Sequence, residues 1–322
     1  MSVLNIAIKE FEISIRTKRF YVILGIFLVI AVVFISQLNS IMNTLGFEFK
    51  TPFQQLFLTS FSTAYVYGVT LLSLLLASTA INSEIKQGTI KVLGAKPIYR
   101  DTIIFGKLLG GAITIAVTVG LFYVFMIGIA LVFGAGVTGY DISRLLAIYP
   151  ITILYGVALY ALGILLSVIM RNPTNSLLAG IFVFIIFVFV IPIVASIVAF
   201  ATAGTPPSLI VEYENNTPVF TQNREFQEWI NRYYSTYSKI IILSLPTDFG
   251  EVCGFIYGSK AEEDILGSLT FLGGSEESVS IVEDRSIIEG IILGLPDLIP
   301  IIVTLFISLF LSYLKFIKLD LR

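Results

Sequence analysis

Gly106-Lys107 is the pair in this chain that most invites a chemical reading, because a phosphate-binding loop ends in glycine, lysine and a hydroxyl residue. The rest of such a loop is missing. Leu108 stands where the serine or threonine would be, Asp101 stands where the first glycine would be, and the pair opens an apolar run instead of following a strand. No nucleotide site is visible, so ATP chemistry would have to come from a partner. Histidine is absent, which removes Ser/His/Asp and Cys/His catalysis, histidine metal ligation and histidine pH switching together. The single cysteine, Cys253, permits neither an internal disulfide nor a cysteine metal cluster. The chain is therefore expected to hold no catalytic residue, cofactor site or metal site.

What remains at this position is packing and charge. Gly106 and Gly110 form a small-xxx-small pair that lets another helix approach closely. Around them, Asn82–Gly111 carries five basic residues, Lys86, Lys91, Lys96, Arg100 and Lys107, between two long apolar runs. Ionisable residues are nearly absent from the apolar runs: Lys107 and Arg144 fall at their ends, and Glu289 and Asp297 flank the entry to the last. Ion-coupled carriers keep a charged or histidine side chain at mid-membrane to bind the coupling ion, so secondary transport is disfavoured. Intramembrane proteolysis is disfavoured for the same reason.

These residues belong to a membrane chain. It has 322 residues, 56% of them hydrophobic and only 13% charged, with mean hydropathy +0.93; soluble domains are about a quarter charged. The net charge of −2 gives no reason to expect nucleic acid. The pattern predicts an all-α polytopic protein with six transmembrane helices, roughly Phe20–Met42, Phe61–Ile81, Ile103–Phe133, Leu145–Met170, Ser176–Ala203 and Ile291–Phe316, each near or above the roughly 20 residues a bilayer requires. Pro192 predicts a kink near Val188. With the N-terminus inside, the inner segments hold 13 basic and 5 acidic residues and the outer ones 7 and 17, so both termini are expected to be cytoplasmic. Met1–Arg19 mixes acids and bases without a short apolar core, so no cleavable leader is expected.

Residues 1–19 read as an N-terminal interfacial helix, with Leu4, Ile8, Phe11 and Ile15 on one side; a plain cytoplasmic extension is the alternative. Asn172 and Pro173 suit an N-cap and first helical position, making spans four and five a tight hairpin within the unit 20–203. Residues 204–290 form an expected extracellular domain, α-rich or mixed. Within it Asn223–Ile242 predicts an amphipathic helix with Phe226, Trp229, Ile230, Tyr233 and Tyr237 together, while the Gly-rich remainder resists assignment. Asn215-Asn216-Thr217 fits a glycosylation acceptor at Asn215, although Pro218 weighs against it. Span six (291–316) and a short inner tail (317–322) complete the chain.

Inside the loop 82–107, Ile81, Ile85, Thr89 and Leu93 share one face of a short helix ending at Gly94, and Asp101 suits the N-cap of span three. Such a helix is a lever between two spans, or an ordinary positive-inside loop whose lysines fix topology. The order Glu84, Gly88-Thr89, Leu93, Pro97, Arg100, Gly106-Lys107 resembles the cytoplasmic loop of permease subunits of type-2 ABC transporters. Lys9-Glu10-Phe11 with Arg16 and Lys18-Arg19-Phe20 is similar to that family's connecting helix. Gly163, Ser167, Arg171 and Ala179 are similar to its small-residue hairpin, and Phe316, Lys318 and Asp320 to its closing signature.

The resemblance implies a permease that dimerises with itself or a second permease and binds separate ABC ATPase subunits. Its coupling helix would dock in a groove of the ATPase. Glu84, Ile85, Gly88, Thr89, Leu93, Pro97 and Arg100 would form that contact, with ATP hydrolysis confined to the partner and export as the direction. The long acidic 204–290 segment departs from compact relatives, so substrate identity stays open. A membrane anchor whose extracellular segment binds a cell-surface partner without transport is the rival class.

Overall fold

The computed structural model of the chain describes residues 3–18, 20–22, 24–25, 28–29, 32, 49–88, 100–170, 172–207, 210–214, 217–221, 224–259 and 282–317. Five helical stretches among these are long and apolar enough to cross a membrane: Ser62–Lys86, Asp101–Val132, Gly139–Ile169, Pro173–Ala203 and Leu295–Ile317. They correspond to the expected spans two to six. Most of the expected first span, Phe20–Met42, lies outside the described residues, and so does the tail 318–322.

In chain order the helices are α1 (Val3–Arg16), α2 (Pro52–Leu56), α3 (Ser62–Ser78), α4 (Asn82–Lys86), α5 (Arg100–Val132), α6 (Gly139–Ile169), α7 (Pro173–Ile185) and α8 (Ile191–Ala203). Beyond them lie α9 (Arg224–Ile241), α10 (Leu245–Ile256), α11 (Ile287–Leu293) and α12 (Leu295–Ile317). A hairpin of β1 (Ile210–Glu214) and β2 (Thr217–Thr221) pairs antiparallel from Ile210 with Thr221 to Glu214 with Thr217. Asn215, the expected glycosylation acceptor, lies outside the described residues.

Span two lies at the centre of the bundle and span five at its edge: 72% of the most apolar window is buried in Ser62–Lys86 and 11% in Pro173–Ala203. The central spans carry hydroxyls because their backbones and neighbours satisfy them. Tyr65 Oη shares hydrogen bonds with Thr152 Oγ1 at 2.6 Å and Tyr123 Oη at 3.0 Å. Thr70 Oγ1 meets Tyr155 Oη at 2.5 Å. The α5 helix runs 33 residues, about 50 Å at 1.5 Å per residue, longer than a hydrocarbon core of about 30 Å. It must tilt or project.

Several local expectations take a different form. The irregularity before Pro192 is a π-helical turn over Ile186–Val190, which accommodates the lost amide. Asp101 lies inside the first turn of α5 instead of capping it, where a negative charge still complements the helix dipole. Asn172 does cap α7, its Oδ1 accepting from Thr174 N at 3.1 Å with Pro173 following.

The larger difference concerns residues 204–290, expected to be one outer domain. The α9 helix folds back along α8. Its aromatics form a ladder, with ring centroids 5.9 Å apart for Phe226 and Trp229, 5.5 Å for Trp229 and Tyr233, and 5.9 Å for Tyr233 and Tyr237. Trp229 Nε1 donates to the Gly204 carbonyl at 2.8 Å. The α10 helix instead enters the bundle. Leu245, Phe249, Val252, Cys253 and Ile256 are buried in the main core, and Phe249 stacks on Tyr155 at 4.2 Å. Two glycines of this segment, Gly258 and Gly290, sit in close contact with backbone. At Gly290 an added Cβ would lie 2.6 Å from the Phe255 carbonyl oxygen.

Candidate functional site

The sequence places two acids and two bases near the base of the bundle, and the fold brings them together. Lys107 lies on α5, one turn into the apolar run, and only 2% of its side chain is exposed. A charge so buried has to be paired. Its Nζ lies 2.8 Å from Glu10 Oε2 on α1 and 3.2 Å from Glu84 Oε2 on α4. Glu84 Oε1 lies 3.5 Å from Lys9 Nζ, which is partly exposed. Tyr160 Oη on α6 donates to Glu10 Oε1 at 3.4 Å. Two positive and two negative groups balance, and the cluster ties the N-terminal helix, the loop helix and two spans.

Glycine makes the approach of α1 feasible. An added Cβ at Gly106 would lie 2.7 Å from Ile6 Cβ, and one at Gly110 would lie 2.6 Å from both the Ala7 carbonyl oxygen and Glu10 Cβ. At Gly111 it would come within 2.5 Å of the Tyr160 ring. The small-residue pair thus packs against α1. The buried side of α1 consists of Ile6, Ala7, Glu10 and Ser14, while Leu4 and Ile8 of the expected apolar stripe are exposed. An outward apolar stripe on a helix at the base of a membrane bundle suits contact with the headgroup layer.

The loop helix is held from the opposite side by spans four and five. Ser167 Oγ accepts from Ile81 N at 2.9 Å and Asn82 N at 3.1 Å, closing the Thr79–Ile81 turn between α3 and α4. Ser176 Oγ donates to the Ser78 carbonyl. At Gly163 an added Cβ would lie 2.6 Å from Ala77 Cβ. The small and hydroxyl residues of the fourth-to-fifth hairpin therefore grip the end of span two.

The expected docking residues are distributed differently from the expectation. Glu84 turns inward to Lys107 and Lys9, and Ile85 packs against the core. The Glu84 carboxylate is held on that side by Lys107 and Lys9. Lys86 and Gln87 are the exposed residues of this stretch. The helix ends at Lys86, two residues before Gly88, whose φ of 73° is the left-handed conformation that ends helices; residues 89–94, over which it was expected to continue, lie outside the described residues. Thr89, Leu93 and Pro97 lie outside the described residues, and of Arg100 only the backbone, opening α5, is described.

The pairing of Glu10 with Lys107 was the element missed from sequence. Its signal was there: a lysine inside an apolar run with no acid within one helical turn of it must find a distant one. No curated protein matches the chain. Residues 4–321 match the family model described as ABC-2 family transporter protein.

Proposed function

We propose a mechanism from one premise: the chain belongs to the ABC-2 family of transporter proteins. It is accordingly a multi-pass membrane component of a transporter, and the anchor without transport is not favoured. On our reading it is the permease subunit of an ATP-driven exporter. Separate ATPase subunits bind and hydrolyse the nucleotide, this chain hydrolyses nothing, and two permeases enclose the path. The termini and the 82–107 loop lie on the cytoplasmic side, as the distribution of lysine and arginine supports.

The observation that carries this reading is Lys107, held between Glu10 and Glu84. The ATPase would push on the loop at Lys86, Gln87, Gly88 and the stretch through Thr89, Leu93, Pro97 and Arg100. Glu84 and Ile85 act as positioning residues behind that contact. Because Glu84 is paired to both α1 and α5, force on the loop reaches the interfacial helix and span three together. Packed, ion-paired elements move as units, so a small displacement at the loop becomes a rigid shift of two helices.

The docking half of this proposal is tested by reversing charge where the loop is exposed. Lys86→Glu with Gln87→Glu is expected to weaken co-purification of the ATPase subunit on the order of tenfold, since like-charge juxtaposition at an interface costs several kcal/mol. The unfolding midpoint of the permease should stay unchanged, because neither side chain is buried. Undiminished co-purification would overturn the assignment of this contact.

A further inference from the structure

Span five parts from the main core at its π-helical turn. Val183, Phe184 and Phe187 pack against that core, whereas among the described residues none of α8 or α9 belongs to it. Above the turn, α8 packs on α9 instead. Ala195, Ala199 and Ala203 of α8 and Ile230 and Ile241 of α9 are buried, while Ile193, Ile197 and Phe200 on the far side of α8 are exposed. Trp229, bonded to the Gly204 carbonyl, and Thr202 Oγ1, donating to Thr236 Oγ1 at 3.2 Å, close the pair on itself. The two helices make one arm, which the chain joins to the bundle at two crossings, residues 187–191 and 241–245.

The two crossings meet at one hydrogen bond. In the π-helical turn the Ile191 amide donates to the Ile186 carbonyl, five residues back. The Phe187 carbonyl is next in line for a donor, but Pro192 has no N–H to give it. A buried carbonyl left without a partner costs free energy. Ser244, fully buried at the other crossing, supplies the donor: its hydroxyl reaches the Phe187 carbonyl at 2.7 Å. A serine has one hydroxyl hydrogen, so the 2.8 Å contact between Ser244 and Thr247 is a donation from Thr247.

The π-helical turn Phe57–Phe61 of span two shows the contrast. There the Ser62 amide donates to the Phe57 carbonyl, and Ser62 Oγ, on the same helix, covers the Leu58 carbonyl at 3.1 Å. That turn is satisfied from within. The turn in span five is satisfied from across the root of the arm. A π-helical turn followed by proline is a point where a helix bends, so the bond from Ser244 sets how firmly the arm is held.

We propose that Ser244 is a positioning residue that latches a hinge at this turn, and that the α8–α9 arm swings on it as one body when the permease turns over. In the topology proposed above the arm stands on the outer side, where its swing changes the outer end of the path. That second half rests on the reading of the chain as an exporter permease; the latch does not.

The test places spin labels on the full-length chain in nanodiscs, in a Cys253→Ala background. Ile142→Cys with Asn231→Cys reports the arm against the outer end of α6, and Ile197→Cys with Asn231→Cys lies within the arm. All three positions are exposed. Asn231 lies about 15 Å from Ile241 along α9, so a swing of about 20°, the size of a helix kink, moves it about 5 Å. The wild type is expected to give one narrow Ile142–Asn231 distance, and Ser244→Ala a second population displaced by about that much. Ser244→Thr keeps the hydroxyl and should restore the single distance. Pro192→Ala returns the missing N–H, so Ser244→Ala with Pro192→Ala should be narrow too, and it serves if Ser244→Ala alone folds poorly. The Ile197–Asn231 distance should stay constant throughout.

An unchanged Ile142–Asn231 distance in Ser244→Ala would overturn the latch, as would a broad distance that Pro192→Ala fails to narrow. An Ile197–Asn231 distance that broadens equally would overturn the rigid arm. With the ATPase subunit and ATP, the wild-type Ile142–Asn231 distance should shift by about 5 Å. A fixed distance, in a complex that turns over ATP faster than the ATPase alone, would overturn the swing. An ATPase subunit that does not bind would overturn the permease reading and leave Ser244→Ala to decide the latch.

Discussion

Lys107→Met is expected to cost the folded chain about 3–5 kcal/mol, the usual penalty for removing one partner of a buried ion pair. The reason lies in what is left behind. Glu10, with 8% of its side chain exposed, and Glu84, with 12%, would face each other without the ammonium that lies 2.8 and 3.2 Å from them. Glu10 would keep only the Tyr160 hydroxyl and Glu84 only the partly exposed Lys9, so the two carboxylates must either take up protons or open the contact. Both routes loosen α1 and α4. The measurement is the unfolding midpoint of the chain in detergent, where Lys107→Met should unfold well below the wild type. Combining it with Glu10→Gln and Glu84→Gln should recover much of the loss, because a neutral cluster no longer has charge to desolvate. A Lys107→Met midpoint equal to that of the wild type would mean that the cluster contributes nothing to stability.

Gly110→Leu is the second large effect, and it acts through shape. Its Cβ would lie 2.6 Å from the Ala7 carbonyl oxygen and 3.2 Å from Ala7 Cα, and these are backbone atoms that cannot swing aside. Overpacking of this kind costs about 1–3 kcal/mol, and relief requires α1 to lift from α5. That movement also draws Glu10 from Lys107, so the helix loses its docking surface and its charge partner together. Hydrogen exchange of residues 3–16 should accelerate by orders of magnitude, and trypsin should cut at Arg16 and Lys18 faster than in the wild type. Gly128→Leu on the same helix is the control, since nothing lies within 4 Å of an added Cβ there. Equal exchange in both variants would rule out the close contact of α1.

Spans two to six were legible because twenty consecutive apolar residues leave a chain few alternatives in lipid. Their ends were harder, and α6 shows why. It begins at Gly139, six residues ahead of the expected Leu145, because Asp141 and Arg144 look like loop residues until their partners are known. Asp141 is satisfied by Thr51 and Thr138, and Arg144 donates to the carbonyls of Ile256 and Arg285. Hydropathy averages over such residues and cannot know that another segment neutralises them. The same limit hid α10: its Gly254 and Gly258 read as breakers, yet Gly258, at φ 84°, only ends the helix, and Gly254 sits within it.

At the base of the bundle the legible part was spacing. Gly106 and Gly110 announced a close helix contact, and Glu84 and Gly88 marked the loop. Which helix filled the glycine groove was hidden, because Glu10 and Lys107 are 97 residues apart in sequence and nothing local pairs them. Glu84 was read as a contact for a partner since an acid in a basic loop stands out. Its inward orientation follows from Lys107, a tertiary fact.

The account rests on Glu84 transmitting motion from the loop to α1 and α5, and one measurement addresses that directly. The ATPase subunit is assayed alone, with the wild-type permease, and with Glu84→Gln, in nanodiscs and below the unfolding midpoint of each complex. Glu84→Gln leaves Lys107 paired with Glu10 and leaves the exposed Lys86 and Gln87 untouched, so the complex should assemble as before. The prediction is intact co-purification with loss of most of the stimulation that the wild-type permease gives to ATP turnover. Intact co-purification with full wild-type stimulation would contradict the account, and the cluster would then be a structural tie with no part in coupling.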